Sequence, residues 1–156
     1  MKKILIIMLI FTGLLTFGCS KKEKSNDIIP DKNIIYIIPN GYKEFYSNHF
    51  YYLPENDLSG KSGSIGIETF ESDREYSKEY IEELKEEYKD YNIKKIEPYK
   101  TSEYKGVHMV LSFEKYDEII YHLLSGYTIV VVDGLDYHVY PNFSIDVKSI
   151  VDSMEI

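Results

Sequence analysis

The residues of this chain best suited to metal chemistry are its four histidines, His49, His108, His122 and His138. A zinc or manganese site needs at least three ligands that converge on the ion. If residues 118–132 form one strand, His122 and His138 lie on opposite faces of the sheet; if Ser125-Gly126 is a two-residue turn, they lie in one row about 9.6 Å apart. The face of His108 depends on the length of the 114–117 loop. We therefore predict half-exposed sheet positions for these rings, with no metal site and no cofactor.

A second group of residues suggests nucleotide or nucleophile chemistry. Gly60-Lys61-Ser62 matches the end of a Walker A motif, but the position that needs a glycine five residues earlier holds Glu55, a carboxylate where a phosphate would lie. Ser62 and Ser64 lack the flanking glycines of a nucleophile elbow. The sequence therefore has no recognisable set of nucleophile, base and orienting group.

The only cysteine, Cys19, follows a segment with the three parts of a secretory signal peptide. Lys2 and Lys3 form a positive start, residues 4–15 form an apolar run, and Gly18 is the small residue before the cleavage point. We predict that residues 1–18 are a signal peptide and that cleavage after Gly18 leaves Cys19 first. An uncleaved transmembrane anchor is the alternative, because a spanning helix needs about 17 apolar residues or more.

These residues resemble the lipobox of bacterial lipoproteins. Thr16 and Phe17 stand where that family usually has leucine and then alanine or serine, with Leu15 one position further out. The resemblance implies a diacylglyceryl thioether on Cys19, with palmitate-type acylation. Two acyl chains anchor a protein stably where one is marginal, so it also implies a lipid-anchored protein on the extracytoplasmic face of the cell membrane.

The composition limits the possible partners. Without Lys2 and Lys3 the chain has 16 basic and 26 acidic residues, a formal charge of −10. Nucleic acid is an unsuitable partner, because that affinity comes largely from Lys and Arg on phosphates. Anionic lipid heads also repel such a domain, so the lipid must supply the anchoring. Since Cys19 is the only cysteine, no disulfide can form within the chain, and the fold depends on a hydrophobic core.

The chain divides into a tether and one domain. Residues 19–33 follow the signal peptide as a lipidated tether, because they are mostly charged or small and polar and cannot bury enough apolar surface to fold. Residues 34–156 fit a single globular domain of ordinary size. Runs of β-branched or aromatic residues bounded by turn residues predict strands at 34–38, 50–53 and 64–70.

Two helices are predicted. Ser72 and Glu75 form a capping box that begins a helix at 73–90. Its apolar face has the residues Tyr76, Tyr80, Ile81, Leu84, Tyr88 and Tyr91. The second helix, 144–154, has an i, i+3, i+4, i+7 stripe that should dock on a sheet. The stripe consists of Val147, Ile150, Val151 and Met154.

Asp133-Gly134 is predicted as the turn of a β-hairpin, because Asp-Gly between two strand-like runs is the strongest short-range hairpin signal. The turn would pair Val132 with Leu135. It would also place His138 opposite Ile129 and Tyr140 opposite Tyr127. Before this hairpin, the alternating apolar residues of 107–113 predict another strand.

Residues 120–140 and the closing helix around 150–154 resemble the carboxyl half of PsbP-like domains. Thr128-Ile129, Gly134, Leu135 with Tyr137, and Ser153-Met154 occupy the positions of that pattern, although the usual tryptophan before the last helix is missing. The resemblance implies an α+β fold of the PsbP/Mog1 type, an α/β/α sandwich. We expect a mainly antiparallel sheet of about six strands between two helices.

The predicted function follows from the anchor and from the missing catalytic set. Members of the PsbP-like family act as accessory or binding proteins, so the resemblance implies a non-enzymatic domain that binds an envelope protein or a small ligand. The alternative is a hydrolase or metal-dependent enzyme whose site joins scattered residues, such as His49, His108 and nearby acids. The sequence does not identify the ligand.

Overall fold

The structure is a computed structural model that describes residues 34–46 and 51–156. The predicted signal peptide, the cleavage position Gly18, the lipidation position Cys19 and the tether lie outside the described residues. His49 also lies outside them. Of the helices that are described, none is long and apolar enough to cross a membrane.

Seven antiparallel strands form one sheet in the order β1-β2-β3-β7-β6-β5-β4. The strands are β1 Tyr42–Tyr46, β2 Tyr51–Pro54, β3 Gly63–Glu71, β4 Ile93–Lys100, β5 Lys105–Ser112, β6 Asp117–Ser125 and β7 Thr128–Asp136. The sheet thus has one strand more than expected. Residues 34–38 are not a strand; this segment makes a single bridge, between Ile35 and Glu155. Ile34, Tyr36 and Ile38 pack against the core, which explains their apolar pattern.

The predicted Asp133-Gly134 hairpin is wrong. Strand β7 continues through both residues, and the β6–β7 turn is the two-residue loop Gly126-Tyr127 between the paired Ser125 and Thr128. Val132 pairs with Ile67 and Tyr121 rather than with Leu135, and the pairings expected for His138 and Tyr140 do not occur. Of the two alternatives for residues 118–132, one continuous strand is wrong, and the two-residue turn lies one residue later than Ser125-Gly126. Gly126, at φ +57°, is the residue whose left-handed backbone forms the turn.

Helix α1, Lys78–Glu87, begins at a different cap from the predicted one. The Tyr80 N–H donates to Ser77 Oγ at 3.1 Å, so Ser77 is the N-cap. Ser72 instead accepts from the Arg74 N–H at 3.1 Å, and its own N–H donates to the Tyr127 carbonyl at 2.8 Å. That bond ties Ser72 to the β6–β7 turn, so the helix starts five residues later than predicted. The apolar face is as predicted, with Tyr80, Ile81 and Leu84 buried.

Helix α2, Phe143–Asp152, confirms the predicted stripe. Its buried residues are Phe143, Val147, Ile150 and Val151, and Met154 just beyond the helix is buried as well. The helix packs on β6 and β7. Side chains alternate across these strands, so Val130 and Val132 contact the α2 core while Ile129 contacts α1. The fold is therefore a seven-stranded antiparallel sheet with one short helix on each face, and the sheet rather than the helices forms most of it.

Candidate functional site

An open cleft of about 640 Å³ lies between helix α2 and the sheet strands beside it. Helix α2 packs on β6 and β7, whereas the sheet extends two strands further, through β5 to the edge strand β4. We call this space the helix–sheet cleft. Its lining residues are Lys94, Lys95, His108, Val110, Asp117, Ile119, Tyr121, Asp136, His138, Ser144, Ile145 and Lys148.

The floor of the helix–sheet cleft is aromatic. His108 and Tyr121, which face each other across β5 and β6, stack with ring centroids 4.3 Å apart and planes 3° from parallel. Tyr99 packs edge-on against Tyr121 at 5.0 Å. His108 Nδ1 lies 3.2 Å from Glu97 Oε1. Burial lowers the pKa of His108, and the Glu97 hydrogen bond offsets part of that shift, so the ring is a mainly uncharged stacking surface at neutral pH.

The rim of the cleft consists of ion pairs with exposed lysines. Lys94 Nζ lies 2.8 Å from Asp117 Oδ2, and Lys95 Nζ lies 2.8 Å from Glu97 Oε1. Lys148 on α2 pairs with Asp152 in the same way. Pairs of this kind with exposed lysines each contribute only about 0–1 kcal/mol to folding. A ligand with its own charged groups can therefore replace them at little cost.

His138 occupies the rim where β7 ends. It is the one described residue other than glycine with a positive φ, +61°. Its N–H donates to Asp136 Oδ1 at 2.7 Å, and its Nδ1 lies 3.8 Å from Asp136 Oδ2. This turn, rather than a hairpin strand, places the imidazole at the cleft. Asp136 in turn lies directly opposite Asp117 in the β6–β7 ladder, so the two carboxylates of neighbouring strands meet at the opening.

The histidines do not converge. His122 lies on the α1 face of the sheet, where its Nδ1 is 2.8 Å from the Tyr80 hydroxyl, and burial lowers the pKa of His122 to about 4. His108 and His138 both line the cleft but lie beside different carboxylates, Glu97 and Asp136. Within the part of the chain that the structure describes, no three His, Cys, Asp or Glu side chains are placed to hold a metal ion.

A second, more polar opening of about 390 Å³ lies at the loops that follow β4 and β6. Arg74, Lys100, Thr101, Ser125 and Gly126 are among its lining residues. It is smaller than the helix–sheet cleft and lacks the stacked His108–Tyr121 floor. The helix–sheet cleft is therefore the stronger candidate for a ligand site, since binding pockets usually measure about 300–1,000 Å³ and combine apolar walls with a few polar groups.

Sequence reasoning missed an acid cluster on the opposite face of the sheet. Glu118 on β6 is 7 % exposed, and Oδ1 of Asp133 on β7 is buried with no hydrogen-bond partner among the described residues. Burial raises the pKa of Glu118 to about 7, and burial together with the charges of Glu118 and Glu68 raises that of Asp133. The signal available in the sequence was an aspartate directly after the apolar run 129–132, which the hairpin interpretation placed in a turn.

Comparison with known proteins identifies the fold. No protein-family model matches this sequence. No curated protein matches it either. Among solved structures, the chain is similar to the solution structure of cyanobacterial PsbP (CyanoP) from Synechocystis sp. PCC 6803, with a TM-score of 0.53 and 6 % sequence identity over 90 % of this chain and 98 % of that one. The resemblance suggested by residues 120–140 and 150–154 is thus confirmed at the level of fold.

Proposed function

We propose that this PsbP-like domain is a non-enzymatic accessory module, anchored by a lipid to the extracytoplasmic face of the cell membrane, that binds an envelope protein or a small ligand in the helix–sheet cleft. The observation that carries the proposal is the open cleft itself. Its stacked His108–Tyr121 floor and exchangeable ion pairs suit binding. His108 is held by Tyr121 and Glu97, an arrangement that suits a stacking surface better than a general base.

The anchor is supported by the sequence. Lys2, Lys3 and the apolar run lead to Gly18-Cys19, and a polar tether of residues 20–33 separates that cysteine from the first described residue, Ile34. Fourteen residues reach at most about 50 Å even when fully extended. The lipid would therefore keep the cleft close to the membrane surface, where an envelope partner is concentrated.

Site-specific cross-linking in cells tests the binding site. Ile145 lines the cleft and is 62 % exposed, so a photoreactive amino acid there should trap one dominant partner. The matched control places the same amino acid at Glu82, an exposed position of helix α1 on the other face of the sheet. Equal product from both positions would contradict the cleft as the binding site. Lys148→Glu, which reverses a rim charge, should reduce the Ile145 product several-fold.

Native mass spectrometry of the same protein tests whether it binds a small ligand. Protein extracted gently from the membrane should retain a bound molecule of defined mass. Tyr121→Leu, which removes the stacking partner of His108 while keeping an apolar core residue, should lose that molecule. Retention of the molecule by the variant would place the ligand elsewhere, and an absence of both this molecule and a cross-linked partner would overturn the binding function.

A further inference from the structure

The acid cluster consists of three carboxyl groups from three neighbouring strands: Glu118, which is buried, and Asp133 and Glu68, which are partly exposed. Asp133 on β7 is paired with Ile120 on β6 and with Gly66 on β3. Glu118 lies two residues before Ile120 and Glu68 two residues after Gly66, so both project to the same face as Asp133 from diagonal positions. The Glu118 and Asp133 carboxyls act on each other and lie within reach of a hydrogen bond between them. Two carboxyls can share such a bond only when one of them carries a proton.

The groups that surround this cluster offer no compensating positive charge. The titratable neighbours are Tyr88 at the end of helix α1, Tyr91 just beyond it and Tyr116 from the β5–β6 turn. Next to these three lie Glu87, Asp90 and Tyr137. All of them are acids or phenols. Among the described residues, no lysine or arginine acts on Glu118 or Asp133. Loss of the shared proton therefore leaves like charges together in a poorly hydrated place, which only the entry of water or a movement of α1 can relieve.

Helix α1 is the element best able to move. Its ten residues bury only Tyr80, Ile81 and Leu84, and an isolated helix of that length is unstable in water. Its carboxyl end is followed by Tyr88, which packs against the buried cluster of Met109, Leu111 and Ile120, and Ile120 is the strand partner of Asp133. The strands beneath, β6 and β7, are paired along nine positions and form the centre of the sheet. Strain at the cluster is therefore released through α1 rather than through the sheet.

We propose that the protonated Glu118–Asp133 pair keeps helix α1 docked on the sheet, and that loss of this proton above neutral pH loosens α1 locally while the sheet stays folded. The device is independent of the helix–sheet cleft, which lies on the other face. The docking of α1, and with it the position of its row of exposed glutamates, would thus depend on the pH of the surrounding solution. The effector is the proton itself, so the proposal can be tested without identifying a ligand.

Hydrogen exchange of the full chain in detergent, measured by mass spectrometry at pH 6 and pH 8.5 and corrected for the intrinsic pH dependence of exchange, tests this proposal. The pKa of Glu118 is about 7 when α1 is docked, against its ordinary value of 4.5 when α1 is open. This difference should lower the protection of the α1 amides about tenfold between pH 6 and pH 8.5. Amides of β6 and β7 should keep their protection. This comparison within the unaltered protein does not depend on any variant folding.

A neutral double variant completes the test. The double variant Glu118→Gln/Asp133→Asn keeps the size of both side chains but removes both protons, so the tenfold change should shrink to less than twofold. Glu86→Gln, on the exposed side of α1, is the matched control and should behave as the unaltered protein. Constant α1 protection between pH 6 and pH 8.5 would overturn the proposal. So would a loss shared equally by β6 and β7, or an unchanged loss in the double variant.

Discussion

Gly134 lies directly beneath Val147 of helix α2: a Cβ atom at this glycine would be 2.7 Å from Val147 Cγ2. The same atom would lie 3.1 Å from the Phe143 ring. Separations below 3.0 Å require a shift of the helix or of the strand. The glycine of the Asp-Gly pair therefore permits close approach of α2 to β7, which is one of the few reasons for glycine inside a strand.

Gly134→Ala should destabilise the domain by about 1–3 kcal/mol, the usual range for overpacking a core. Urea denaturation at pH 7 measures this change. The matched control is Gly66→Ala, one position off register on the neighbouring strand β3. An added Cβ there meets nothing closer than 3.9 Å, so its effect should stay within about 1 kcal/mol of zero. Equal losses from the two substitutions would disprove the close helix contact.

Ser77→Ala should cost about 1 kcal/mol, because it removes the side-chain acceptor for the Tyr80 N–H at the start of α1. Ser72→Ala should cost less, since the Ser72 hydroxyl accepts only from the Arg74 N–H in an exposed turn. The comparison uses chemical denaturation of the two variants side by side. A larger loss for Ser72→Ala would restore the capping box that the sequence suggested.

Acid should destabilise the domain through His122. Its pKa in the folded protein is lowered to about 4, chiefly by burial, whereas an unfolded histidine titrates near 6.5. The unfolded chain therefore binds more protons between these values, and stability that is present above pH 6.5 is lost as the pH falls towards 4. Between pH 7 and pH 5 the contribution is about 2 kcal/mol.

His122→Gln keeps a hydrogen-bonding group near the Tyr80 hydroxyl but removes this titration. Its free energy of unfolding, compared with that of the unaltered protein at pH 7 and pH 5, should lack the His122 contribution. His138→Gln, which alters an exposed ring at the cleft rim, is the control and should retain it. The loss of stability in acid is not due to His122 if both variants respond to pH in the same way.

Cys19→Ala tests the proposed anchor. Without the thiol no diacylglyceryl group can be attached, and the lipoprotein peptidase that requires the modified cysteine should leave the bond after Gly18 uncut. Intact mass should therefore show an unmodified full-length precursor for the variant, whereas the unaltered protein should begin at Cys19 and carry the lipid. Membrane fractionation is not decisive, because the uncut apolar segment of residues 4–15 would also hold the precursor at the membrane.

An unaltered protein that starts at Met1 with a free thiol would replace lipidation with a signal anchor. An unmodified mature chain would exclude the lipid altogether. Either result would leave the helix–sheet cleft and the acid cluster unaffected, because both are built only from residues of the domain.

Patterns that depend on neighbours along the chain were readable from the sequence. The i, i+3, i+4, i+7 stripe of α2 and the alternation of Val107, Met109 and Leu111 in β5 both match the buried residues of the structure. Burial on one face of a helix or a strand requires that periodicity whatever the partner is. The PsbP-like pattern near the carboxyl end likewise indicated the architecture, even at 6 % identity to a protein of that fold.

Tertiary structure alone decided the meaning of Asp133-Gly134. As a dipeptide it favours a turn, but Gly134 is needed where α2 approaches β7, and Asp133 lies beside Glu118 on the α1 face of the sheet. Ser77 rather than Ser72 caps α1 because a hydrogen bond to Tyr127, 55 residues away, holds the earlier serine. Local preferences of about 1 kcal/mol are smaller than the packing of a whole helix on a sheet, so contacts between residues distant in sequence determined the turn, the cap and the acid cluster.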